Sequence, residues 1–140
     1  MKNYRILFVV CILALVANWA YTQSQATKEN MAVITINAVM SKQPIPVTVS
    51  KGTTFTVNLA SNPTTGYSWA LKSGYNSKIA QKVGSVYNPP SEQIPGRGGS
   101  ETWTFKGIGK GRTNLTLNYV RPWEKNTPPV KTQTFAITIQ

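Results

Sequence analysis

Histidine and aspartate are absent from this 140-residue sequence, cysteine occurs once, and only four side chains are carboxylates. Those absences exclude a great deal. With no imidazole there is no histidine base, and with one thiol there is no His/Cys metal site. The four carboxylates, Glu29, Glu92, Glu101 and Glu124, stand far apart in the chain and leave little for acid–base chemistry. Neither an enzyme nor a bound cofactor or metal is expected. The one thiol, Cys11, lies in an N-terminal stretch expected to be removed, so the remaining chain has no disulfide and depends on its apolar core. An apolar stripe of helical spacing is missing as well.

What the N-terminus does have is a targeting pattern. Lys2 and Arg5 supply two positive charges, and Ile6–Ala17 is an unbroken apolar run of twelve residues. A bilayer span calls for about 20 residues, whereas this length suits the core of a signal peptide. Residues 1–20 are therefore expected to be a signal peptide, with cleavage after Ala17 or Ala20 both compatible. Residues 21–140 are expected to form a single domain. It would travel the secretory pathway to the outside or to a lysosomal or vacuolar lumen, without stable membrane association after signal removal.

Charge is one-sided. The net charge is +11, and losing Lys2 and Arg5 leaves 11 − 2 = +9. The lysines are scattered from Lys28 to Lys131 rather than clustered. Nucleic acid is not an expected partner of a secreted chain. The charge instead favours solubility and steering toward an acidic protein.

Beyond residue 31 the apolar residues alternate with polar ones, the period of half-buried strands. Ile34, Ile36 and Ala38 share a face, as do Val47 and Val49, then Phe55, Val57 and Leu59 with Thr54, Thr56 and Asn58 opposite. Tyr67, Trp69 and Leu71 continue the series, followed by Trp103 and Phe105, by Leu115, Leu117 and Tyr119, and by Phe135, Ile137 and Ile139. Turn signals separate them, including Lys51-Gly52, Asn88-Pro89-Pro90 and Gly109-Lys110-Gly111. The pattern predicts an all-β fold, an antiparallel β-sandwich of roughly seven or eight strands. Residues 72–95 are the least legible, with one irregular strand expected near Ile79–Val86.

Three loops stand out. In Asn62-Pro63-Thr64-Thr65-Gly66-Tyr67 a proline with fixed φ and a glycine free to take positive φ bracket two threonines. Such a turn is stiff and presents backbone and hydroxyl groups in a set shape. Gly96-Arg97-Gly98-Gly99 lacks most side chains, so its backbone can lie close against another chain. Arg121-Pro122-Trp123 places a tryptophan in a polar stretch, unlike Trp69 and Trp103 in their strands; arginine and tryptophan are enriched at binding hot spots.

The three motifs, in this order, resemble those of the chagasin family, protein inhibitors of papain-like cysteine peptidases. The resemblance spans roughly Ile34 to Gln140. It implies an immunoglobulin-like sandwich with the three loops at a common end. It also implies that Thr64, Thr65 and Gly66 occlude the peptidase's catalytic centre. Gly96, Arg97, Gly98 and Gly99 would lie along one arm of the cleft, and Arg121, Pro122 and Trp123 along the other. Inhibition would be reversible and non-covalent, by a monomer. The rival reading is a secreted carbohydrate-binding or adhesion module stacking Trp123 and Tyr67 on sugar rings. Asn114-Leu115-Thr116 fits the N-glycosylation pattern, with Asn114 expected to face outward. Asn62-Pro63-Thr64 is excluded as an acceptor by its proline.

Overall fold

Aromatic and β-branched residues alternating with threonine and asparagine give a chain built of strands. The computed structural model describes residues 33–92, 94 and 96–140. The expected signal peptide, residues 1–20, lies outside the described residues. The strands are β1 (Val33–Asn37), β2 (Ile45–Val49), β3 (Thr54–Ser61), β4 (Ser68–Leu71), β5 (Ala80–Asn88), β6 (Gly99–Gly107), β7 (Gly111–Val120) and β8 (Lys131–Ile139). They form two four-stranded sheets, β1-β3-β6-β5 and β2-β8-β7-β4. This is the expected all-β sandwich, with eight strands. In the immunoglobulin lettering β3, β6 and β5 take the places of B, E and D, and β4, β7 and β8 those of C, F and G.

One expectation is corrected. The sandwich is not antiparallel throughout, because β1 pairs parallel with β3 and β2 parallel with β8. The chain leaves β1 for β2 in the opposite sheet and then returns to β3, so β1 and β3 run the same way. The edge strand β2 likewise joins β8, whose direction is fixed by its antiparallel pairing with β7. Alternation of side chains is the same in either direction, so the sequence carries no mark of this.

The core is the sum of the inward faces. Phe55, Val57 and Leu59 of β3, with Trp103 and Phe105 of β6, meet Val47, Val49, Trp69, Leu115, Leu117, Tyr119, Phe135, Ile137 and Ile139 from the other sheet. Phe55 and Phe105 stack with ring centroids 5.7 Å apart. Each such large side chain contributes about 1.5–3 kcal/mol through burial. Thr56 points to the outer face as expected, yet it is buried between its register partners Thr35 and Thr104 and donates to Thr35 Oγ1 at 3.2 Å. Strand β5 is an exposed edge with a register shift between Lys82 and Gly84, which explains the weak alternation of that region.

Registers at the strand ends place the loops. Ser61, the last residue of β3, pairs with Gly99, the first of β6; Asn88, the last of β5, pairs with Ser100. Ser68, the first of β4, pairs with Val120, the last of β7. The β3–β4, β5–β6 and β7–β8 loops therefore leave from one end of the sandwich. The β3–β4 loop crosses between the sheets and lies in the middle.

Candidate functional site

Asn62 is the hub of the central loop. Its backbone N–H donates to Tyr119 Oη at 2.8 Å, and its side-chain Nδ2 donates to the Gly96 carbonyl at 3.1 Å. Its Oδ1 accepts the Thr64 hydroxyl at 2.6 Å, while its carbonyl accepts the Thr65 hydroxyl at 2.6 Å and the Thr65 N–H at 3.2 Å. Pro63–Thr65 form a single 3₁₀ turn, closed by the Gly66 N–H donating to the Pro63 carbonyl at 2.9 Å. Gly66 then reverses the chain at φ +80°, a left-handed conformation that favours glycine. The turn inferred from Pro63 and Gly66, led by the proline and closed by a positive-φ glycine, is present. The threonine hydroxyl protons, however, are spent on Asn62, so Thr64 and Thr65 offer outward their methyl groups and lone pairs rather than free donors.

The flanking loops touch this centre from either side. A Cβ built on Gly98 would lie 2.8 Å from the Ser61 carbonyl, and one on Gly99 would collide with the Asn88 carbonyl. The close approach that these glycines permit is thus to their own chain, and it seats the β5–β6 loop against the stem of the central loop. Arg97 turns away and pairs with Glu92 inside its own loop. Both of those side chains are exposed, so the pair stabilises the loop only weakly.

On the other side, the edge of the Trp123 indole covers Gly66: a Cβ there would lie 2.6 Å from its Cη2. Trp123 is nevertheless 66 % exposed. Its loop is held by its neighbours. The Arg121 guanidinium donates to Glu124 Oε1 at 3.0 Å, and the Glu124 N–H donates to the Arg121 carbonyl at 3.0 Å. The hydrogen bond to Glu124 raises the Arg121 pKa above its already high ordinary value.

An aromatic column supports all three loops. Arg121 lies 4.5 Å from the Tyr67 ring centroid, Tyr67 stacks on Tyr119 at 5.4 Å, and Trp69 packs on Tyr119 at 5.0 Å. Beneath the column sits Glu101, whose oxygens accept the Ser61 hydroxyl at 2.6 Å and the Trp69 N–H at 3.2 and 3.3 Å. Tyr119, Glu101 and Ser61 were not among the candidates from sequence. For Glu101 a signal existed: it shares the inward face of Trp103 and Phe105, where a carboxylate is out of place. Asn114 stands apart from the site, exposed on the outer face of β7 opposite Ala136.

The arrangement is a central loop with one flank on each side, and its likeness to known proteins is specific. Residues 48–139 match the family described as chagasin family peptidase inhibitor I42. Chagasin of Trypanosoma cruzi is 37 % identical over 82 residues, 55 % of this chain and 73 % of that protein. Amoebiasin-1 of Entamoeba histolytica is 32 % identical over 94 residues, 67 % of this chain and 89 % of that one. The crystal structure of a cysteine protease inhibitor from Entamoeba histolytica superposes with a TM-score of 0.63 at 22 % identity, covering 79 % of this chain and 98 % of the other, and supports the fold. The chain belongs to the chagasin family of peptidase inhibitors and is not an enzyme.

Proposed function

We propose that this chagasin-family cysteine peptidase inhibitor acts on papain-like enzymes, reversibly and without covalent chemistry. The central loop enters the active-site cleft, and the Gly96–Gly99 and Arg121–Trp123 loops grip its two sides. The observation that carries this reading is the joining of three loops at one end, through Asn62 Nδ2 to Gly96 on one flank and Trp123 over Gly66 on the other. Loops tied in this way lose little freedom on binding, so the contact energy appears as affinity. Peptidase–inhibitor interfaces bury about 1,600 Å² in total, an area that three adjacent loops can supply. None of the loops carries a thiol or an electrophile that could bond to a catalytic cysteine. The carbohydrate-binding alternative is set aside by the family match. The domain works as a monomer in the secretory pathway, outside the cell or in a lysosomal or vacuolar lumen, delivered by residues 1–20.

Titrating papain with the domain lacking residues 1–20 should abolish activity at a one-to-one ratio and leave serine and metallopeptidases untouched. Full papain activity in a large excess of folded domain would refute the reading. A second result tests the central loop itself. Gly66→Val should weaken inhibition by about tenfold or more, about 1.4 kcal/mol, with the sandwich still folded. A valine is strained at φ +80° and its side chain would push Trp123 off the loop. Inhibition equal to the parent's, measured as an inhibition constant, would mean that the turn is not conformationally demanding.

A further inference from the structure

Glu101 occupies a position where β6 calls for an apolar side chain. Trp103 and Phe105, its inward-facing companions, are core residues, and Glu101 itself is only 8 % exposed. Among the described residues Glu92 and Glu124 are the carboxylates that form ion pairs, and Glu101 forms none. Its partners are instead the Ser61 hydroxyl and the Trp69 N–H. Burying a carboxylate without a cation is costly, and packing beside Trp103 would by itself be served as well by an apolar residue. Apolar packing alone therefore gives no reason for a glutamate here.

The identity of the two partners does. Ser61 ends β3 in one sheet, and Trp69 is the second residue of β4 in the other. Everything between them is the central loop and its exit. One carboxylate thus holds both stems of that loop, across the gap between the sheets, from a third strand. A charged acceptor makes shorter and stronger hydrogen bonds than a neutral one, and the 2.6 Å contact to Ser61 fits that.

We infer that Glu101 is a positioning residue for inhibition, setting the spacing of the two stems so that Asn62–Gly66 is already in its binding shape. This rests on the inhibitor reading above. It adds a residue that never touches the peptidase yet controls how much of the inhibitor is competent to bind. If the loop samples other shapes, the apparent inhibition constant rises in inverse proportion to the competent fraction.

The test uses Glu101→Gln, Glu101→Leu and Ser61→Ala in the domain lacking residues 1–20. Glutamine is the same size but loses the charge and sets an NH2 where Oε2 faces the Trp69 N–H, donor against donor. Glu101→Gln should raise the papain inhibition constant about tenfold, mainly through slower association. The Thr65 and Gly66 amides, bonded to the Asn62 and Pro63 carbonyls, should exchange with solvent faster, while the Phe105 and Leu117 amides keep the parent's protection. Glu101→Leu should do the same with a lower unfolding midpoint, because it leaves the buried Ser61 hydroxyl and Trp69 N–H without an acceptor. Ser61→Ala, which removes one partner and leaves the core intact, should raise the inhibition constant about threefold; it carries the test alone if neither Glu101 variant folds. Inhibition constants within twofold of the parent's, or unchanged loop exchange in the folded variants, would overturn the inference. A parent that fails to inhibit papain refutes the inhibitor reading instead, and loop exchange still reports whether Glu101 holds the stems.

Discussion

Replacing Trp103 with alanine should lower the free energy of unfolding by about 3–5 kcal/mol, the cost of deleting a buried aromatic. Trp103 is 5 % exposed, stands between Val57 of β3 and Ser85 of β5 in register, and carries the Lys82 ammonium 4.3 Å from its ring centroid. Its loss would leave a cavity between two strands that cannot close without shifting both sheets. Domains of this kind are stable by about 5–15 kcal/mol in all, so the change is large. Urea denaturation is the direct check: the midpoint should fall by about 1 M or more with an unchanged slope. Inhibition by the protein that remains folded should stay near the parent's, because the register partners of Trp103, Val57 and Ser85, lie within strands and not in the three loops. A loss under about 1 kcal/mol would remove Trp103 from the core.

Strands such as β3, β6, β7 and β8 were legible in the sequence for a physical reason. Each buries one face against the opposite sheet, so Phe55-x-Val57-x-Leu59 and Phe135-x-Ile137-x-Ile139 alternate cleanly. Strand β5 buries almost nothing and bulges at Lys82–Gly84, and its alternation fades accordingly. The parallel pairings of β1 with β3 and of β2 with β8 were invisible because direction leaves no trace in a period of two. The three loops were legible from residue identity: Pro63 and Gly66 mark the first, Gly96, Gly98 and Gly99 the second, and Arg121, Pro122 and Trp123 the third.

The bonds that tie the loops together were not legible. Asn62 meets Tyr119, 57 positions on, and Glu101 reaches back 40 positions to Ser61 and 32 to Trp69. Only the folded sandwich brings such pairs together. The same is true of the glycines: Gly98 and Gly99 suggested an approach to a partner, and the structure shows an approach to Ser61 and Asn88 of their own chain. The glycine-rich loop is therefore first a structural element, seated beside Asn62 by that packing.

Trp123→Ala should have the opposite signature to Trp103→Ala. Inhibition should weaken by about 2 kcal/mol or more, about 30-fold, the scale of a hot spot, while unfolding stability should change by less than about 1 kcal/mol. The indole is 66 % exposed and rests only its edge on Gly66, so little burial is lost when it is removed. Its loop keeps its shape through contacts that do not involve it, namely Arg121 with Glu124 and Arg121 over Tyr67. In the proposed complex the exposed ring face packs against one wall of the peptidase cleft, beside the central loop. Trp123→Phe, which keeps an aromatic ring of smaller area, should fall between parent and alanine. Inhibition constants and denaturant midpoints measured on the three proteins decide the matter. If the alanine variant unfolds, Trp123 belongs to the support of the sandwich end, and the Arg121-Pro122-Trp123 loop loses its place as the anchor of that flank.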